Sequence, residues 1–323
     1  MRILSGIQPS GTLHIGNYFG MMKRMIEYQE NHELFCFVVN LHALTSTFEA
    51  ERLRKQTYEA LCDFLALGLD PNRSIFWVQS DVPEVIELTW YLSNITGMGL
   101  LERCHSYKDK LAKGIPASHG LFSYPVLMAA DILMYGANRV PVGKDQKQHV
   151  EVARDVAIRF NSTYGDTFVI PEPDIEDQLA TVPGLDGQKM SKSYGNTIEI
   201  FADEGTLRSK IMSIKTDSTP VNEPKPIEGN IIFDIYSLFL DDQGKAELKE
   251  RFLKPGLKYG DVKKELVKTI WEYFAPYREK RANIHKDKDY VSDVMKSGAG
   301  KARKVAMEYL NKARHNVGVD YFN

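Results

Sequence analysis

The sequence predicts an α/β protein: a parallel sheet with helices on both faces, followed by an all-helical C-terminal region. In the first half of the chain short apolar runs alternate with helical patterns, an order that is typical of parallel sheets. A segment rich in Pro and Gly at 161–200 indicates a hinge, and the pattern beyond it is purely helical. The 323 residues are 43% apolar and 26% charged, which is ordinary for a globular protein with room for two domains.

Four apolar runs predict buried strands. They are RILS at 2–5, LFCFVV at 34–39, SIFWVQ at 74–79 and NRVPV at 138–142. The helical patterns between and after them occupy 17–30, 49–67, 84–96, 121–135 and 146–160. Ligands of open parallel sheets bind beyond the carboxyl ends of the strands, so the turns that follow these strands are where we expect a site.

The C-terminal region is predicted to be helical and is strongly basic. Its apolar positions lie three or four residues apart, which is one stripe of a helix; they are Val262, Leu266, Ile270, Phe274 and Tyr277, and a second set spans 291–309. Between 245 and 315 there are 19 Lys and Arg against 10 Asp and Glu, although the whole chain has a net charge of -2. This asymmetry indicates either a polyanionic partner at one end or a solvated helical surface.

Several classes of protein are disfavoured. No window approaches the ~20 continuous apolar residues that a membrane span needs. The N-terminal MRILSGIQPSG has a short apolar run and then a turn, unlike a secretory signal. Cys36, Cys62 and Cys104 form no CxxC pair, so we predict neither a zinc site nor a disulfide framework. A reducing cytoplasm is the expected location.

The turn after the first strand, GIQPSGTLHIGNYFG at 6–20, has the features of a phosphate site. His14, Gly16 and Asn17 lie where a helix begins, and a helix N-terminus presents free N–H groups to an anion. Gly16 would let a flat ring approach the backbone. The turn lacks the GxGxxG and Walker patterns. A bland alternative is an Asn near a helix start with an unrelated histidine.

The loop GQKMSKSYGN at 187–196 carries two cations and two hydroxyls. Lys189 and Lys192 alternate with Ser191 and Ser193 around Met190, and the flanking glycines allow the loop to move. Fixed positive charge and hydrogen-bond donors of this kind stabilise the charge that builds on phosphate oxygens during phosphoryl or nucleotidyl transfer. The sequence therefore predicts a loop that contacts a triphosphate, with Met190 as its apolar anchor.

HIGN after the first strand and KMSKS at 189–193 resemble, in this order, the two signature sequences of class I aminoacyl-tRNA synthetases. The resemblance implies a Rossmann-like catalytic domain. It also implies attack of an amino-acid carboxylate on the α-phosphorus of ATP, with catalysis by His14, Asn17, Lys189 and Lys192. No general base is required, because a carboxylate is already a nucleophile.

Asp131, in YPVLMAADILMY at 124–135, is the candidate for recognising the amino acid. Its helical neighbours three and four positions away are Leu127, Met128, Met134 and Tyr135, all bulky. A buried carboxylate is costly unless it has a partner. The N–H of an indole could be that partner, and such a site would reject phenylalanine. The alternative is an exposed Asp at a helix end.

With SGIQPSG and VPVGKDQKQH, these motifs resemble the bacterial-type tryptophanyl-tRNA synthetases over essentially the whole chain. The resemblance implies a tryptophan site and an ATP site. The tryptophan site comprises Asp131, Met128, Val140, Val142, Leu4, Tyr124, Gln146 and His42. The ATP site comprises Gln8, Pro9, Ser10, Gly16, Asn17, Lys110, Gly143, Lys144, Asp145, Val182, Lys189, Met190, Ser191, Lys192 and Ser193.

The same resemblance implies Mg²⁺ without protein ligands, L-tryptophan and tRNA(Trp) as substrates, and a homodimer that binds neither membrane nor DNA. It implies three segments: a catalytic domain over 1–185, the KMSKS loop with an anticodon-binding helical domain over 186–290, and a C-terminal helix over 291–323 able to pack back on the catalytic domain. The basic surplus would then contact RNA, and Tyr259, Trp271 and Arg278 are candidate platforms for unstacked bases.

Three other functions stay open on the sequence alone. The first is the same chemistry with tyrosine, since the two synthetases share a fold. The second is a nucleotidyltransferase that makes a small adenylylated metabolite, although such enzymes are shorter and lack a basic helical appendage. The third is an RNA-binding paralogue without catalysis, which the intact His14, Asn17, Lys189 and Lys192 disfavour.

Overall fold

The computed structural model describes residues 1–9, 11–46, 48–104, 118–143, 146–175 and 182–321. The chain divides into two compact units. The sheet unit comprises Met1–Gly11, Met25–Asp177 and Ile284–Asn323, and the helical unit comprises Thr12–Arg24 and Gln178–Asn283. The predicted boundaries at 185 and 290 stay predictions, and the units divide the chain at other residues.

The sheet unit is built on a five-stranded parallel sheet, which confirms the predicted α/β class. The strands are β1 (Arg2–Ile7), β2 (Glu33–Val38), β3 (Ser74–Val78), β4 (Arg139–Pro141) and β5 (Glu172–Asp174), in the order β3-β2-β1-β4-β5. The four predicted strands are confirmed. The sequence gives no sign of β5, because Glu172–Asp174 is a Glu-Pro-Asp stretch with no apolar run.

The α-helices of the described residues follow the predicted periodicity, with several short additions. They are α1 (Ile15–Asn17), α2 (Lys23–Glu27), α3 (Asn40–Ala43), α4 (Ala50–Ala66), α5 (Glu84–Ser93), α6 (Met98–Glu102), α7 (His119–Leu133), α8 (Lys147–Tyr164), α9 (Glu204–Ser213), α10 (Ile231–Ser237), α11 (Asp242–Leu253), α12 (Tyr259–Tyr273), α13 (Ala275–Lys286) and α14 (Lys288–Val317). None that the structure describes is both long and apolar enough to cross a membrane.

The long C-terminal helix α14 belongs to the sheet unit and packs against β3 and α5. The contact with β3 requires a glycine, since a Cβ atom at Gly298 would lie 1.7 Å from the carbonyl oxygen of Phe76. Ala302, Ala306 and Leu310 continue this buried face. Small residues at one helix face thus let the helix lie directly on the strand.

The helical unit differs from the prediction at one point. The apolar stripe from Val262 to Tyr277, predicted as one face of a helix, is divided between α12 and α13, with Phe274 at the junction. Pro276 explains the break, because it lacks a backbone N–H and restricts the residue before it. Val262, Leu266, Ile270 and Phe274 are nevertheless all buried, as the stripe predicted.

Candidate functional site

The HIGN turn is part of the helical unit and forms a closed hydrogen-bonded cap. The Nδ1 atom of His14 accepts a hydrogen bond from the backbone N–H of Asn17 at 3.3 Å. The Oδ1 atom of Asn17 in return accepts from the backbone N–H of His14 at 3.2 Å. Each side chain therefore fixes the other, and the Nδ2 amide hydrogens of Asn17 remain as donors.

This cap determines the protonation of His14. Because Nδ1 acts as an acceptor, the ring proton resides on Nε2, which makes Nε2 the donor. Burial first, and then the positive charges of Lys192 and Lys210, lower the pKa of His14 from 6.5 to about 4 against an opposing effect of Glu199. His14 is thus a neutral hydrogen-bond donor at pH 7 rather than a cation.

Aromatic packing explains why this turn belongs to the helical unit. Tyr18, in the π-helical turn Tyr18–Met22, lies edge-on to Phe274 with ring centres 5.3 Å apart. Phe19 makes the same kind of contact with Phe239 at 4.9 Å. Such aromatic pairs add to the free energy of ordinary burial, so they hold the turn against Phe239 and Phe274 of the helical unit.

The structure brings the HIGN turn and the KMSKS segment together within the helical unit. The backbone N–H of Ile15 donates to the carbonyl oxygen of Ile198 at 2.9 Å, and that of Ile200 donates to Leu13 at 3.1 Å. A Cβ atom on Gly16 would lie 3.2 Å from the Cβ atom of Met190, which is buried. Gly16 is therefore needed for this close approach, and Met190 anchors the loop.

Asn196 is an unpredicted residue that organises the loop. It is buried, and its Oδ1 accepts from the backbone N–H of Ser191 at 2.8 Å. Its Nδ2 donates to Asp186 Oδ1 at 2.7 Å and to the carbonyl oxygen of Lys189 at 3.2 Å. One amide thus ties both ends of the loop, and its position three residues after KMSKS was the only signal in the sequence.

The charged and hydroxyl groups of the loop face outward. Lys189, Lys192 and Ser193 are exposed, and the hydroxyl oxygens of Ser191 and Ser193 lie 2.8 Å apart. Gly195 has a φ of 64°, a left-handed conformation that ends the 3-10 turn carrying Lys192. The loop therefore presents two ammonium groups and two hydroxyls on a backbone fixed by Met190 and Asn196.

In the sheet unit, α7 carries the buried carboxylate that the sequence singled out. Ser118 caps this helix by accepting from the backbone N–H of Leu121 at 3.1 Å. Asp131 is only 2% exposed, so the alternative of a solvent-exposed Asp is wrong. Burial raises the pKa of Asp131, and the neighbouring His42 and Gln79 act in the opposite direction.

Two side chains satisfy this carboxylate. The Nε2 atom of His42, on α3, lies 2.8 Å from Asp131 Oδ2. The Nε2 atom of Gln79 donates to Oδ2 at 2.8 Å and to Oδ1 at 3.0 Å. His42 was among the predicted residues, but Gln79 was not. Its one sequence signal was its position directly after β3, in a turn of the kind where ligands bind.

Most of the other predicted tryptophan-binding residues share the apolar core around Asp131. Leu4 and Val140 are buried in it, and Met128 and Val142 pack against it half-buried. The hydroxyl of Tyr124 lies 3.2 Å from His149 Nε2, and the ring of Tyr124 meets that of His42 edge-on at 6.3 Å. Gln146 is exposed just before α8.

The predicted nucleoside contacts are only partly described. Gln8 is exposed and Pro9 buried immediately after β1, while Gly143 follows β4. Val182, in the helical unit, is buried and accepts from the backbone N–H of Met190 at 2.9 Å. Ser10, Lys110, Lys144 and Asp145 lie outside the described residues.

The three candidate base platforms are already engaged in the helical unit. The guanidinium carbon of Arg278 lies 3.5 Å from the ring centre of Trp271. The hydroxyl of Tyr259 donates to Asp217 and accepts from Asn230 Nδ2 at 3.0 Å. The guanidinium of Arg278 thus covers one face of the Trp271 ring.

Comparison with known proteins decides among the alternatives. The family model described as tRNA synthetases class I (W and Y) matches residues 1–275. The tryptophan–tRNA ligase of Fusobacterium nucleatum is 55% identical over 319 residues, which cover 98% of this chain and 98% of that protein. The crystal structure of tryptophanyl-tRNA synthetase from Campylobacter jejuni complexed with ADP and tryptophan is 52% identical, has a TM-score of 0.94 and covers 98% of this chain and 100% of that one.

The tyrosine enzymes are more distant. Tyrosyl-tRNA synthetase from Archaeoglobus fulgidus is 23% identical, with a TM-score of 0.65 over 87% of this chain and 90% of that one, and shares the fold. The chain therefore belongs to the class I tRNA synthetases of tryptophan and tyrosine, and within them to the bacterial tryptophan–tRNA ligases, ATP-dependent enzymes with a Rossmann-like fold.

Proposed function

We propose that the chain activates L-tryptophan with ATP to tryptophanyl-adenylate and pyrophosphate, and then transfers the tryptophanyl group to the 3′ end of tRNA(Trp) with release of AMP. The observation that carries this proposal is the joining of the HIGN turn to the segment that follows KMSKS, through the backbone hydrogen bonds from Ile15 to Ile198 and from Ile200 to Leu13. The groups of both motifs that we propose to bind phosphate therefore belong to the helical unit.

The phosphate-binding groups have distinct roles in this proposal. His14 Nε2 and Asn17 Nδ2 donate hydrogen bonds to phosphate oxygens without adding charge. Lys189 and Lys192 supply positive charge as the pyrophosphate leaves, and Ser191 and Ser193 donate to the same oxygens. Mg²⁺ would bind through the ATP phosphates and water, which are the oxygen ligands it prefers.

The amino acid is recognised by the carboxylate of Asp131. Its buried position makes an accepted N–H bond strong and an unpaired partner costly. Leu4, Met128, Val140 and Val142 would surround the indole ring, and Tyr124 and Gln146 would hold the ammonium group. The amino-acid carboxylate then attacks the α-phosphorus, and no protein base takes part.

The remaining assignments concern RNA and cellular location. The surplus of Lys and Arg between 245 and 315 fits a phosphate backbone, because each cation that reaches a phosphate releases a condensed counterion. Cys36, Cys62 and Cys104 are buried, and none of them forms a disulfide within the described residues. Cysteines without disulfides suit a reducing compartment, so we propose a cytoplasmic location.

The ATP–pyrophosphate exchange reaction tests the proposal directly. Purified enzyme with Mg²⁺, ATP and labelled pyrophosphate should form labelled ATP with tryptophan and, among the twenty standard amino acids, with no other at a comparable rate. Exchange driven by tyrosine would overturn the choice of amino acid. Absence of exchange with all twenty would overturn the enzymatic assignment itself.

We also propose that a second copy of the chain covers an apolar surface of the sheet unit. Ile86 and Trp90 are exposed one helical turn apart on α5, and Met98 on α6 and Ile158 on α8 are exposed as well. Trp90 is 68% exposed, a costly position for so large an apolar group.

The charges of this surface indicate that the partner is the same chain. A groove of about 510 Å³ between α6 and α8 is lined by Arg103 and Arg159 together with Asp155 and apolar side chains. A two-fold interface presents the same patch from both sides. A patch with charges of both signs can therefore pair each charge with its opposite in the second copy.

A Trp90→Glu variant should convert the enzyme from two chains to one at micromolar concentration. A carboxylate in the centre of an apolar interface loses its hydration without a partner. Light scattering after size-exclusion chromatography measures the mass against 36.7 kDa per chain. Val221→Glu, a change at an exposed apolar residue of the helical unit, serves as the control. A monomeric wild type, or a dimeric Trp90→Glu variant, would contradict the proposal.

A further inference from the structure

Both polar atoms of the Gln79 side chain, Oε1 and Nε2, are hydrogen-bonded within the sheet unit. Its Oε1 accepts from the backbone N–H of Leu41 at 3.0 Å, which fixes the orientation of the amide. Its Nε2 then faces Asp131 and reaches both carboxylate oxygens, at 3.0 and 2.8 Å. The residue is 1% exposed. The amide therefore holds the carboxylate of Asp131 from one side.

The two oxygens of Asp131 are not equivalent as a result. Oδ2 lies within hydrogen-bond distance of both Gln79 Nε2 and His42 Nε2, whereas Oδ1 is bonded to Gln79 alone. A carboxylate oxygen has about two acceptor positions. The open position of this carboxylate is therefore on Oδ1, and it can take one further donor.

An aromatic ring that donates a hydrogen bond and accepts none suits the single open acceptor position on Oδ1. The indole N–H is donor only, while a phenol hydroxyl also carries an oxygen that needs a donor when buried. An ionised carboxylate has no hydrogen to give to such an oxygen, so a phenol bound at Asp131 would leave a buried acceptor unpaired by this residue. A site of this kind can discriminate far more strongly than one built from apolar contacts alone.

We infer that Gln79 is a positioning residue that sets amino-acid specificity, because it orients Asp131 with Oδ1 open to one further donor. This inference rests on the proposed role of Asp131 in binding the indole. The competing explanation is that Gln79 is only a satisfied amide of the core, which would support the fold without favouring a ligand N–H.

A pair of amino acids that differ only at the donor separates the two explanations. The pair is tryptophan and β-(3-benzothienyl)alanine, in which a sulfur atom that donates no hydrogen bond replaces the indole N–H. In exchange assays wild type should favour tryptophan on the order of 100-fold in kcat/KM, since the analogue leaves Asp131 unpaired. Gln79→Met removes the donors that orient Asp131, and this ratio should fall to about tenfold or less, with the KM for ATP unchanged.

Two further variants guard against a simple loss of folding. Gln79→Glu keeps the volume and the acceptor for Leu41 but not the amide donors, and its ratio should also lie below that of wild type. Gln29→Met removes a second bridging amide of the same unit, which bonds to Gly68 O at 3.0 Å and to the N–H of Asp70 at 2.9 Å. Its ratio should equal that of wild type.

The outcomes are distinguishable from failure of the proposed function. If the Gln79 variants lose activity equally with both amino acids and keep the 100-fold ratio, Gln79 is a core amide and the inference is wrong. If wild type uses both amino acids equally well, Asp131 does not read the indole N–H, and the proposed pocket is wrong as well.

Discussion

Replacement of Lys192 by alanine is expected to slow the activation of tryptophan by two to three orders of magnitude. Lys192 is exposed on a loop fixed by Met190 and Asn196, and its charge acts on His14 in the HIGN turn. Removal of one preorganised group that stabilises transition-state charge typically costs about 10²–10³ in kcat, or roughly 3–4 kcal/mol. Single-turnover formation of the adenylate measures the effect.

The affinity for tryptophan should stay nearly unchanged in this variant, because the charge develops only as pyrophosphate leaves. Isothermal titration with tryptophan alone checks this point. Lys254→Ala is the matched control, since Lys254 is an exposed lysine of the same unit that pairs with Glu250 one turn away. An activation rate within about threefold of wild type would remove Lys192 from the proposed mechanism.

The neutral state of His14 affects how tightly the phosphate site binds pyrophosphate. Because its pKa is lowered to about 4, the imidazole is neutral where Lys192 is positive, and the two do not repel each other at pH 7. A neutral donor also holds phosphate less tightly than a cation would, so pyrophosphate can leave after the reaction. The neutral His14 thus contributes to binding of the phosphate, and the exposed positive charge of Lys192 stabilises the transition state.

The fold was predictable where apolar periodicity determines it. LFCFVV and SIFWVQ were predicted as buried strands, and the stripe of Val262, Leu266 and Ile270 as one face of a helix, and all three predictions are confirmed. β5 was not predictable, since Glu172–Asp174 pairs with β4 through its backbone and shows no pattern of its own. The break between α12 and α13 could have been predicted only from Pro276, because the apolar stripe continues across it.

The site was predictable only to the level of its motifs. HIGN and KMSKS indicated phosphate chemistry, and Asp131 stood out as a carboxylate among large apolar neighbours. Gln79 and Asn196 were missed, because an amide is recognised as a positioning group only when its partners are known. Asp131 lies 52 residues from Gln79 along the chain, and no local pattern connects them. Tertiary hydrogen bonds of this kind depend on the fold, and no periodic sequence pattern indicates them.

Replacement of Asp131 by asparagine is expected to reduce kcat/KM for tryptophan about 100-fold while the KM for ATP changes little. The change keeps the volume and removes the charge, so the indole N–H loses a charged acceptor in a buried site. Exchange assays with tryptophan and ATP varied in turn give both constants. Asp166→Asn, at an exposed carboxylate of the same unit, is the control.

The stability of the same variant should move in the opposite direction. A carboxyl whose pKa is raised by folding binds a proton more tightly in the native state, so native stability falls as pH rises through that pKa. Above the pH range in which Asp131 keeps its proton, the buried carboxylate therefore costs stability, and an amide that still accepts from Gln79 avoids this cost. We expect the melting temperature of Asp131→Asn to equal or exceed that of wild type. A variant that loses both tryptophan use and stability would mean that Asp131 serves the fold, and one that keeps wild-type tryptophan kinetics would mean that the indole is read elsewhere.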